Sequence, residues 1–390
     1  MRVLHVITGL NLGGAEVMLH RLLRASSTEG DVREVISLTD LGVVAERIER
    51  LGVRARALEM SKLPNPGSVV RLSRMIDRFQ PDVVQTWMYH ADLIGGLAAR
   101  AARRGKIVWG IHNSTLDPKT THLTTRWVVA ASAHLSSRLP DRIVCVSCAS
   151  RELHVAAGYD DRKFTIIPNG FDLEEYRMAP AYRRETRAAL GVDESTVLIG
   201  LVARVDPQKD HLNFVRAAAL LRKRHAGVRF LLCGNGATIL NQKLAAAIAQ
   251  SGMEEAFLLL GRRDDVPQIL NSLDIASLSS AYGEAFPLVI GEAMACGVPC
   301  VVTDLGDCAR LVGDTGHVVP PRDPEALAAA WDELVRMGSA ARQRMGLAAR
   351  SRIESSFSLS RVAAEYAAVY REVIAGDSRT ATRAAGRAPV

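Results

Sequence analysis

The sequence has 390 residues, 48% of them hydrophobic and 23% charged, which excludes a disordered or fibrous chain and predicts two globular domains. No apolar run approaches the ~20 residues of a membrane-spanning helix, and six cysteines do not make a disulfide framework, so we expect a cytoplasmic protein. The net charge is +7, of which residues 1–178 carry +5, with 24 Lys and Arg against 19 Asp and Glu. That excess fits an anionic partner or, equally, an arginine-rich surface in contact with water.

Short apolar runs alternate with helix-like stretches along most of the chain. In the first half the runs lie at residues 3–7, 35–38, 83–86, 107–111, 143–146 and 164–167. The alternation then restarts, with runs at residues 197–202, 228–233, 256–260, 275–278, 300–303 and 316–319. Strands that alternate with helices favour a parallel sheet covered on both faces. The sequence therefore predicts an α/β protein with two doubly wound, Rossmann-like domains.

A turn-rich, charged stretch at residues 171–180 separates the two sets of strands and predicts domains of residues 1–178 and 179–357. The last predicted helix, at about residues 359–375, has apolar residues at helical spacing, and we expect it to pack back on the first domain. Residues 376–390 are mainly Gly, Ser, Thr, Ala and Arg, a composition that predicts a disordered tail.

The first candidate site is the turn at residues 9–16, which follows the first predicted strand and opens a helix. Its glycines let a bound group come close to the backbone, and the free amides of a helix N-terminus favour an anion. The glycine spacing differs from the dinucleotide-binding fingerprint, which disfavours a dehydrogenase. A plain tight turn is an equal alternative.

Arg204 and Lys209 form the second candidate site, five residues apart on the loop after the first strand of the second half. The planar fork of an arginine and the point charge of a lysine can converge on one diphosphate. The sequence has no Asp-x-Asp segment, so we expect that no metal is required. An exposed charge pair is the alternative interpretation.

The third and strongest pattern is residues 282–299. Glu284 precedes a helix predicted to begin near Leu288, and Glu292 lies inside it, while Gly297 and Pro299 mark its end. The two carboxylates thus flank a helix N-terminus whose amides favour an anion. Glu292 lies among apolar residues and needs a polar partner, which sugar hydroxyls would supply.

With these motifs the chain resembles the retaining group 1 (family 4) glycosyltransferases, whose GT-B fold has two Rossmann-like domains facing a central cleft. The resemblance covers nearly the whole chain, and the spacing from Glu284 to Glu292 is its most specific part. The matching residues are Gly13–Glu16, His112, Ile167–Asp172, Arg204, Lys209 and Glu284–Pro299.

The resemblance implies a role for each of these residues. Glu284 would bind hydroxyls of the donor sugar, and Glu292 the ribose. Arg204 and Lys209 would bind the diphosphate, helped by the backbone amides of Leu288, Val289 and Gly14. His112 would approach the donor sugar.

Two further positions, His90 and Asp210, have alternative interpretations. His90 would line the acceptor side, although a packed or capping histidine is the commoner case. The lysine of the family is usually followed by glycine, whereas this chain has Asp210, which could alter the loop while leaving the charge in place.

The implied reaction moves a sugar from a nucleoside diphosphate, UDP or GDP, to a hydroxyl of a saccharide or lipid-linked acceptor with retention of configuration. Surface polysaccharide or glycolipid synthesis is the expected setting, and no cofactor or nucleic acid is expected. The alternatives are a non-catalytic nucleotide-binding protein of the same fold, and an epimerase-type or phosphate-dependent enzyme.

Residues 120–138 predict an amphipathic helix that contains Arg126 and Trp127. Together with the basic residues Arg100, Arg103, Arg104 and Lys106, it would dock on the anionic inner face of the cell membrane. A helix packed on the core, with arginines in contact with water, is at least as good an interpretation.

Overall fold

The computed structural model describes residues 1–26, 30–60, 66–117 and 121–385. These residues form two compact units. Unit 1 is Met1–Gly170 together with the chain from Leu359 onward, and unit 2 is Phe171–Ser358. The division after Gly170 lies earlier than the sequence-based boundary after residue 178. The chain thus enters unit 2 once and then returns to unit 1.

Unit 1 contains a seven-stranded sheet in the order β3-β2-β1-β4-β5-β6-β7, with parallel pairing. The strand order reverses beside β1, between β2 and β4, as in doubly wound folds. The strands are β1 (Arg2–Ile7), β2 (Val32–Ser37), β3 (Arg54–Ala57), β4 (Val83–Trp87), β5 (Lys106–Ile111), β6 (Arg142–Cys145) and β7 (Phe164–Ile166).

Each face of this sheet has its own core. Val3 and Ile7 of β1 lie in one core and Leu4 and Val6 in the other, because successive side chains of a strand point to opposite faces. The helices of unit 1 are α1 (Gly14–Ala25), α2 (Val43–Glu49), α3 (Pro66–Phe79), α4 (Tyr89–Ala102), α5 (Leu123–Leu135), α6 (Cys148–Ala156) and the last helix of the chain.

Unit 2 repeats the arrangement with six strands in the order β10-β9-β8-β11-β12-β13. They are β8 (Leu198–Val202), β9 (Arg229–Cys233), β10 (Phe257–Gly261), β11 (Ile275–Leu278), β12 (Cys300–Thr303) and β13 (Gly316–Val319). Its helices are α7 (Pro180–Ala189), α8 (His211–Arg222), α9 (Gln242–Gln250), α10 (Val266–Ser272), α11 (Leu288–Ala295), α12 (Cys308–Val312), α13 (Pro324–Arg336) and α14 (Gly338–Ser356).

The last helix, α15 (Leu359–Ala385), packs on unit 1 through Val362, Tyr366 and Val369. The structure describes this helix as far as Ala385, and residues 386–390 of the predicted tail lie outside the described residues. Among the described residues, no helix has the length and apolarity needed to cross a bilayer.

The two crossings between the units involve neighbouring residues. In unit 2 the amide of Phe171 donates to the carbonyl of Phe357 at 2.9 Å. In unit 1 the backbone of Gly170 lies against that of Leu359, close enough that a side chain at Gly170 would crowd it. In each unit, the residues at which the chain crosses to and from the other unit therefore lie side by side.

Candidate active site

Two loops meet at the carboxyl edge of the unit-2 sheet. Residues 203–210 follow β8 and residues 279–287 follow β11, and these two strands are neighbours. The strand order also reverses here, because β8 lies between β9 and β11. Ligands of doubly wound folds bind in the crevice outside the strand ends at such a reversal.

Lys209 and Glu284 form an ion pair between these loops. Lys209 Nζ lies 2.5 Å from Glu284 Oε1, and the two side chains are only 16% and 6% exposed. Ser280 Oγ donates to the same carboxylate oxygen at 2.5 Å. Because both charges are largely withdrawn from water, loss of either would leave the other buried without its counter-ion. The pair fixes a cation and a carboxylate next to each other at the strand ends.

Further hydrogen bonds join the two loops through their backbones. Gln208 Nε2 donates to Gly283 O at 2.9 Å, and Ala281 N donates to Gln208 O at 2.7 Å. Ser279 Oγ donates to Lys209 O at 2.9 Å. The position of Lys209 is therefore set by the backbone of the neighbouring loop as well as by its ion pair.

Asp210 occupies the position where the resemblance leads us to expect glycine, and its backbone conformation suits a glycine. Its φ of 44° and ψ of 57° are left-handed, a region that glycine enters freely and aspartate tolerates better than most residues. Asp210 is also the N-cap of α8, because its carboxylate accepts from Asn213 N at 3.1 Å. The substitution therefore keeps the turn and adds a cap.

Replacement of Asp210 by alanine is expected to lower the free energy of unfolding by about 2 kcal/mol, since it removes the cap and leaves a Cβ in a left-handed turn. Asp210→Gly loses the cap but relaxes the turn, and should cost only a few tenths of a kcal/mol. Thermal unfolding of the two variants measures the difference. Equal losses would contradict the conformational explanation.

Helix α11 supplies the third element of the site. The amides of Leu288 and Val289 begin the helix and, like the first amides of any helix, have no acceptor within it. The N-cap, Pro287, makes no side-chain capping hydrogen bond to them. Glu292 is buried one turn further on, between the fully buried Ile290 and Ala293. The structure therefore joins a helix N-terminus that favours an anion to a buried carboxylate on the same helix.

Arg204 differs from Lys209 although both lie on the loop after β8. Its side chain is 61% exposed, and its Nε lies 3.5 Å from the carboxylate of Asp206. The structure thus places the cation of Lys209 against Glu284 and leaves Arg204 on the surface of the loop. An exposed, long side chain can reorient toward a bound anion at little cost.

Unit 1 carries the other residues of the sequence-based site. Gly14 is the first residue of α1, after the N-cap Gly13. His112 follows β5, and its ring stacks on Trp87 with centroids 4.9 Å apart. Trp87 Nε1 in turn donates to His5 Nδ1 at 3.2 Å. Burial lowers the pKa of His112 to about 4, so its imidazole is neutral at pH 7.

His90 lies in the first turn of α4, at the carboxyl end of β4, and is half-buried. Burial lowers its pKa, which favours the neutral ring. The preceding Tyr89 bonds through its hydroxyl to His154 Nε2 at 2.8 Å, and His154 Nδ1 lies 2.6 Å from Ser150 O. The bond between Tyr89 and His154 links the start of α4 to α6 in unit 1.

Sequence reasoning missed several residues that hold the unit-2 site together. Ser280 and Gln208 are two of them, and their only sequence signal is a polar side chain next to a strand end or a basic residue. Gly306 is a third: its φ of 56° is left-handed, and a Cβ there would collide with the carbonyl oxygen of Glu284. Across the described ranges, no group of three or more His, Cys, Asp or Glu has the geometry of a metal site.

The fold and the site define a protein with two Rossmann-like domains of the GT-B type, with the anion-favouring helix in the second. Residues 12–175 match the family model for Glycosyltransferase Family 4, and residues 196–337 match that for Glycosyl transferases group 1. The two matches together cover most of the sequence. The chain belongs to the group 1 glycosyltransferases of family 4.

Curated relatives support this membership at moderate identity. The chain is 28% identical over 261 residues to the UDP-Gal:alpha-D-GlcNAc-diphosphoundecaprenol alpha-1,3-galactosyltransferase of Escherichia coli, with 65% of each chain covered. It is 31% identical to the D-inositol 3-phosphate glycosyltransferase of Mycobacterium marinum, over 59% of this chain and 49% of that protein. The chain thus spans about half to two-thirds of the length of these relatives.

Solved structures share the fold. A crystal structure of Anabaena HepE in complex with UDP-glucose has a TM-score of 0.81 at 22% identity and covers 95% of this chain and 100% of that one. Sucrose-phosphate synthase from Thermosynechococcus elongatus has a TM-score of 0.80 at 17% identity, with 96% and 100% covered. At these identities the likeness establishes the fold.

Proposed function

We propose that the protein transfers a sugar from a nucleoside diphosphate to an acceptor hydroxyl and retains the anomeric configuration. The observation that carries this proposal is the ion pair of Lys209 and Glu284, which lies at the same sheet edge as the N-terminus of α11. A cation, helix amides and a carboxylate are what a diphosphate bonded to a sugar requires. Complexes of HepE with UDP and with UDP-glucose favour UDP over GDP as the nucleotide.

Each residue has a proposed task in this site. Lys209 and the amides of Leu288 and Val289 bind the diphosphate, and Arg204 swings in from the surface to complete its charge. Glu284, held by Lys209 and Ser280, accepts hydrogen bonds from the sugar hydroxyls. The tasks of Glu292, Gly14 and His112 are to bind the ribose, the diphosphate and the donor sugar, respectively.

The proposed reaction takes place on one face of the sugar. The bond from the anomeric carbon to the diphosphate oxygen breaks, and the acceptor oxygen bonds to that carbon from the same side. The departing diphosphate oxygen takes the proton of the acceptor hydroxyl. Lys209 and Arg204 stabilise the negative charge that develops on the leaving group, and no metal ion is needed for this step.

A lipid-linked saccharide is the proposed acceptor, in the synthesis of a surface polysaccharide or glycolipid. The printed name of the Escherichia coli relative describes an acceptor on diphosphoundecaprenol. The outer face of α5 supports the same class of acceptor here. Leu123 and Trp127 lie one turn apart on that helix and are 68% and 76% exposed, and α5 contains no acidic residue. An exposed tryptophan beside Arg126 suits the interface of an anionic membrane.

The proposal uses only part of the surface that the sequence suggested. Helix α5 begins after the carboxyl end of β5, so Leu123 and Trp127 lie toward that edge of the sheet. Arg104 precedes β5 and Lys106 is its first residue, so both lie at the amino end of the strand, about 20 Å away along a strand of this length. Arg104 and Lys106 therefore do not form one continuous patch with Leu123 and Trp127. Only the exposed residues of α5 enter the proposal.

Binding to liposomes that contain anionic lipid is expected to fall by about tenfold or more when Leu123 and Trp127 are both replaced by alanine, because two exposed apolar side chains no longer enter the interface. Co-sedimentation at low salt measures the change. Arg104→Ala, at the opposite edge of the sheet, is the control and should bind nearly as the natural protein does. Equal binding by all three proteins would remove α5 from the proposal.

The function as a whole is tested by donor binding followed by turnover. Thermal unfolding across a panel of UDP- and GDP-sugars should identify a stabilising donor, since a ligand at 100 times its Kd adds about 2.7 kcal/mol. Release of free nucleoside diphosphate should then require an acceptor and persist with a chelator present. Release that ignores the acceptor would indicate an epimerase-type reaction, and loss of turnover on chelation would contradict the metal-free site.

A further inference from the structure

Unit 2 has a cavity of about 690 Å³ at the opposite edge of its sheet from the candidate active site. Val197, Asp274 and Pro299 line it, and each of them precedes a strand, namely β8, β11 and β12. The candidate active site is formed by residues that follow β8 and β11. The cavity is therefore a separate feature of the same unit.

Arg342, in the second turn of α14, lines this cavity and is only 7% exposed. Its Nη1 donates to the carbonyl oxygens of Leu334 at 3.0 Å and Val335 at 3.2 Å, at the end of α13. Both of its hydrogen bonds to described residues come from that one nitrogen, and its Nε is buried without a partner. A buried guanidinium normally has an anion as its partner.

The acidic residues of the cavity are already paired with other arginines. Asp274 accepts from Arg183 at 3.0 Å and from Arg187 at 3.0 Å, and Glu194 accepts from Arg183 at 3.0 Å. Asp274 acts on the charge of Arg342 from a distance, but among the described residues of the cavity Arg342 is the arginine that makes no direct ion pair with a carboxylate. The guanidinium of Arg342 can therefore pair with an anionic ligand in the cavity.

The rest of the lining adds hydrogen-bond donors and an apolar wall. Gly338 and Ser339 begin α14, a 19-residue helix whose N-cap makes no side-chain capping bond, so its first amides favour an anion. The hydroxyl of Ser339 lies at the same helix end. The apolar part of the lining consists of Met178, Leu273, Val298 and Val335.

We propose that this cavity binds a small organic anion. Its carboxylate or phosphate group pairs with Arg342 and the N-terminus of α14, and its apolar part packs against Leu273 and Val298. The proposal concerns the binding site alone and does not depend on the proposed sugar transfer.

Inorganic phosphate is the probe, and its affinity is measured by calorimetry at constant ionic strength. The candidate active site can also bind phosphate, so Lys209→Ala is compared with Arg342→Gln. Phosphate binding in the cavity should survive Lys209→Ala and weaken at least about tenfold in Arg342→Gln, as expected for loss of one charged hydrogen-bonding partner. Arg344→Gln removes the same charge from α14 at a residue that does not line the cavity, and should leave the affinity within about twofold.

Arg342 also holds the end of α13, so its replacement could unfold the protein. Gln343 is an exposed residue on the cavity lining, and Gln343→Glu adds a repelling carboxylate there without removing either bond of Arg342. This variant should weaken phosphate binding, and Gln343→Lys should strengthen it. Phosphate that binds the Gln343 variants equally, or binding lost in Lys209→Ala and kept in Arg342→Gln, would overturn the proposal.

Discussion

Replacing Lys209 by alanine is expected to lower the turnover of the proposed sugar transfer by roughly 10²-fold or more, the usual effect of losing one charged contact to a transition state. The lysine is withdrawn from water and lies 2.5 Å from Glu284. Its charge therefore interacts more strongly with a developing negative charge than it would on an exposed loop. Steady-state release of the nucleoside diphosphate, at saturating donor and acceptor, measures the loss. Unchanged turnover would refute the assigned role.

The Lys209 substitution also leaves the carboxylate of Glu284 buried without its counter-ion, which by itself destabilises the site. The double variant Lys209→Ala/Glu284→Gln separates the two effects, because the glutamine carries no charge. We expect it to recover most of the lost thermal stability and none of the lost turnover. Lys243→Ala, an exposed lysine on α9, is the matched control and should leave both quantities unchanged.

Replacing Gly306 by alanine is expected to lower the free energy of unfolding by about 3 kcal/mol, or the unfolding midpoint by roughly 6–12 °C. Two costs combine at this position. The backbone is left-handed, with a φ of 56°, and a Cβ would collide with the carbonyl oxygen of Glu284. Because that collision displaces Glu284, turnover should fall with stability.

Gly191 provides a close control in the same unit. Its φ is 61°, yet a Cβ there would have no atom within 4 Å. Gly191→Ala should therefore cost only the conformational penalty of about 1 kcal/mol, roughly 2–4 °C, with no effect on turnover. If the two alanine variants lose the same stability, the contact between Gly306 and Glu284 has no energetic importance.

The fold was largely predictable because buried parallel strands appear as short, continuous apolar runs. Strand β3 and helix α14 are among the elements that lack this signal. Strand β3, with the sequence Arg-Ala-Arg-Ala, is an edge strand and carries no apolar run. Helix α14 buries Arg342, Gly346, Ala349 and Ile353, a set with one large apolar residue, so its sequence has no amphipathic stripe.

The sequence predicts individual residues of the candidate site but not the contacts that connect them. Glu284, Glu292 and Lys209 could be identified from their positions beside predicted strands and helices. The ion pair of Lys209 with Glu284 could not, because it joins residues 75 positions apart and depends on β8 and β11 being neighbours. The left-handed turn at Asp210 was hidden for a different reason, since an aspartate does not signal that conformation as glycine does.

The adjacency of the two crossings has a consequence for engineering. Residues 171–358 leave and rejoin unit 1 at points where Phe171 bonds to Phe357 and Gly170 lies against Leu359. A gene segment for this part can therefore be exchanged with that of a relative through two splice points that are neighbours in space. If the proposed donor site in unit 2 is right, chimeras of that kind should take their nucleotide-sugar preference from the parent that supplies residues 171–358.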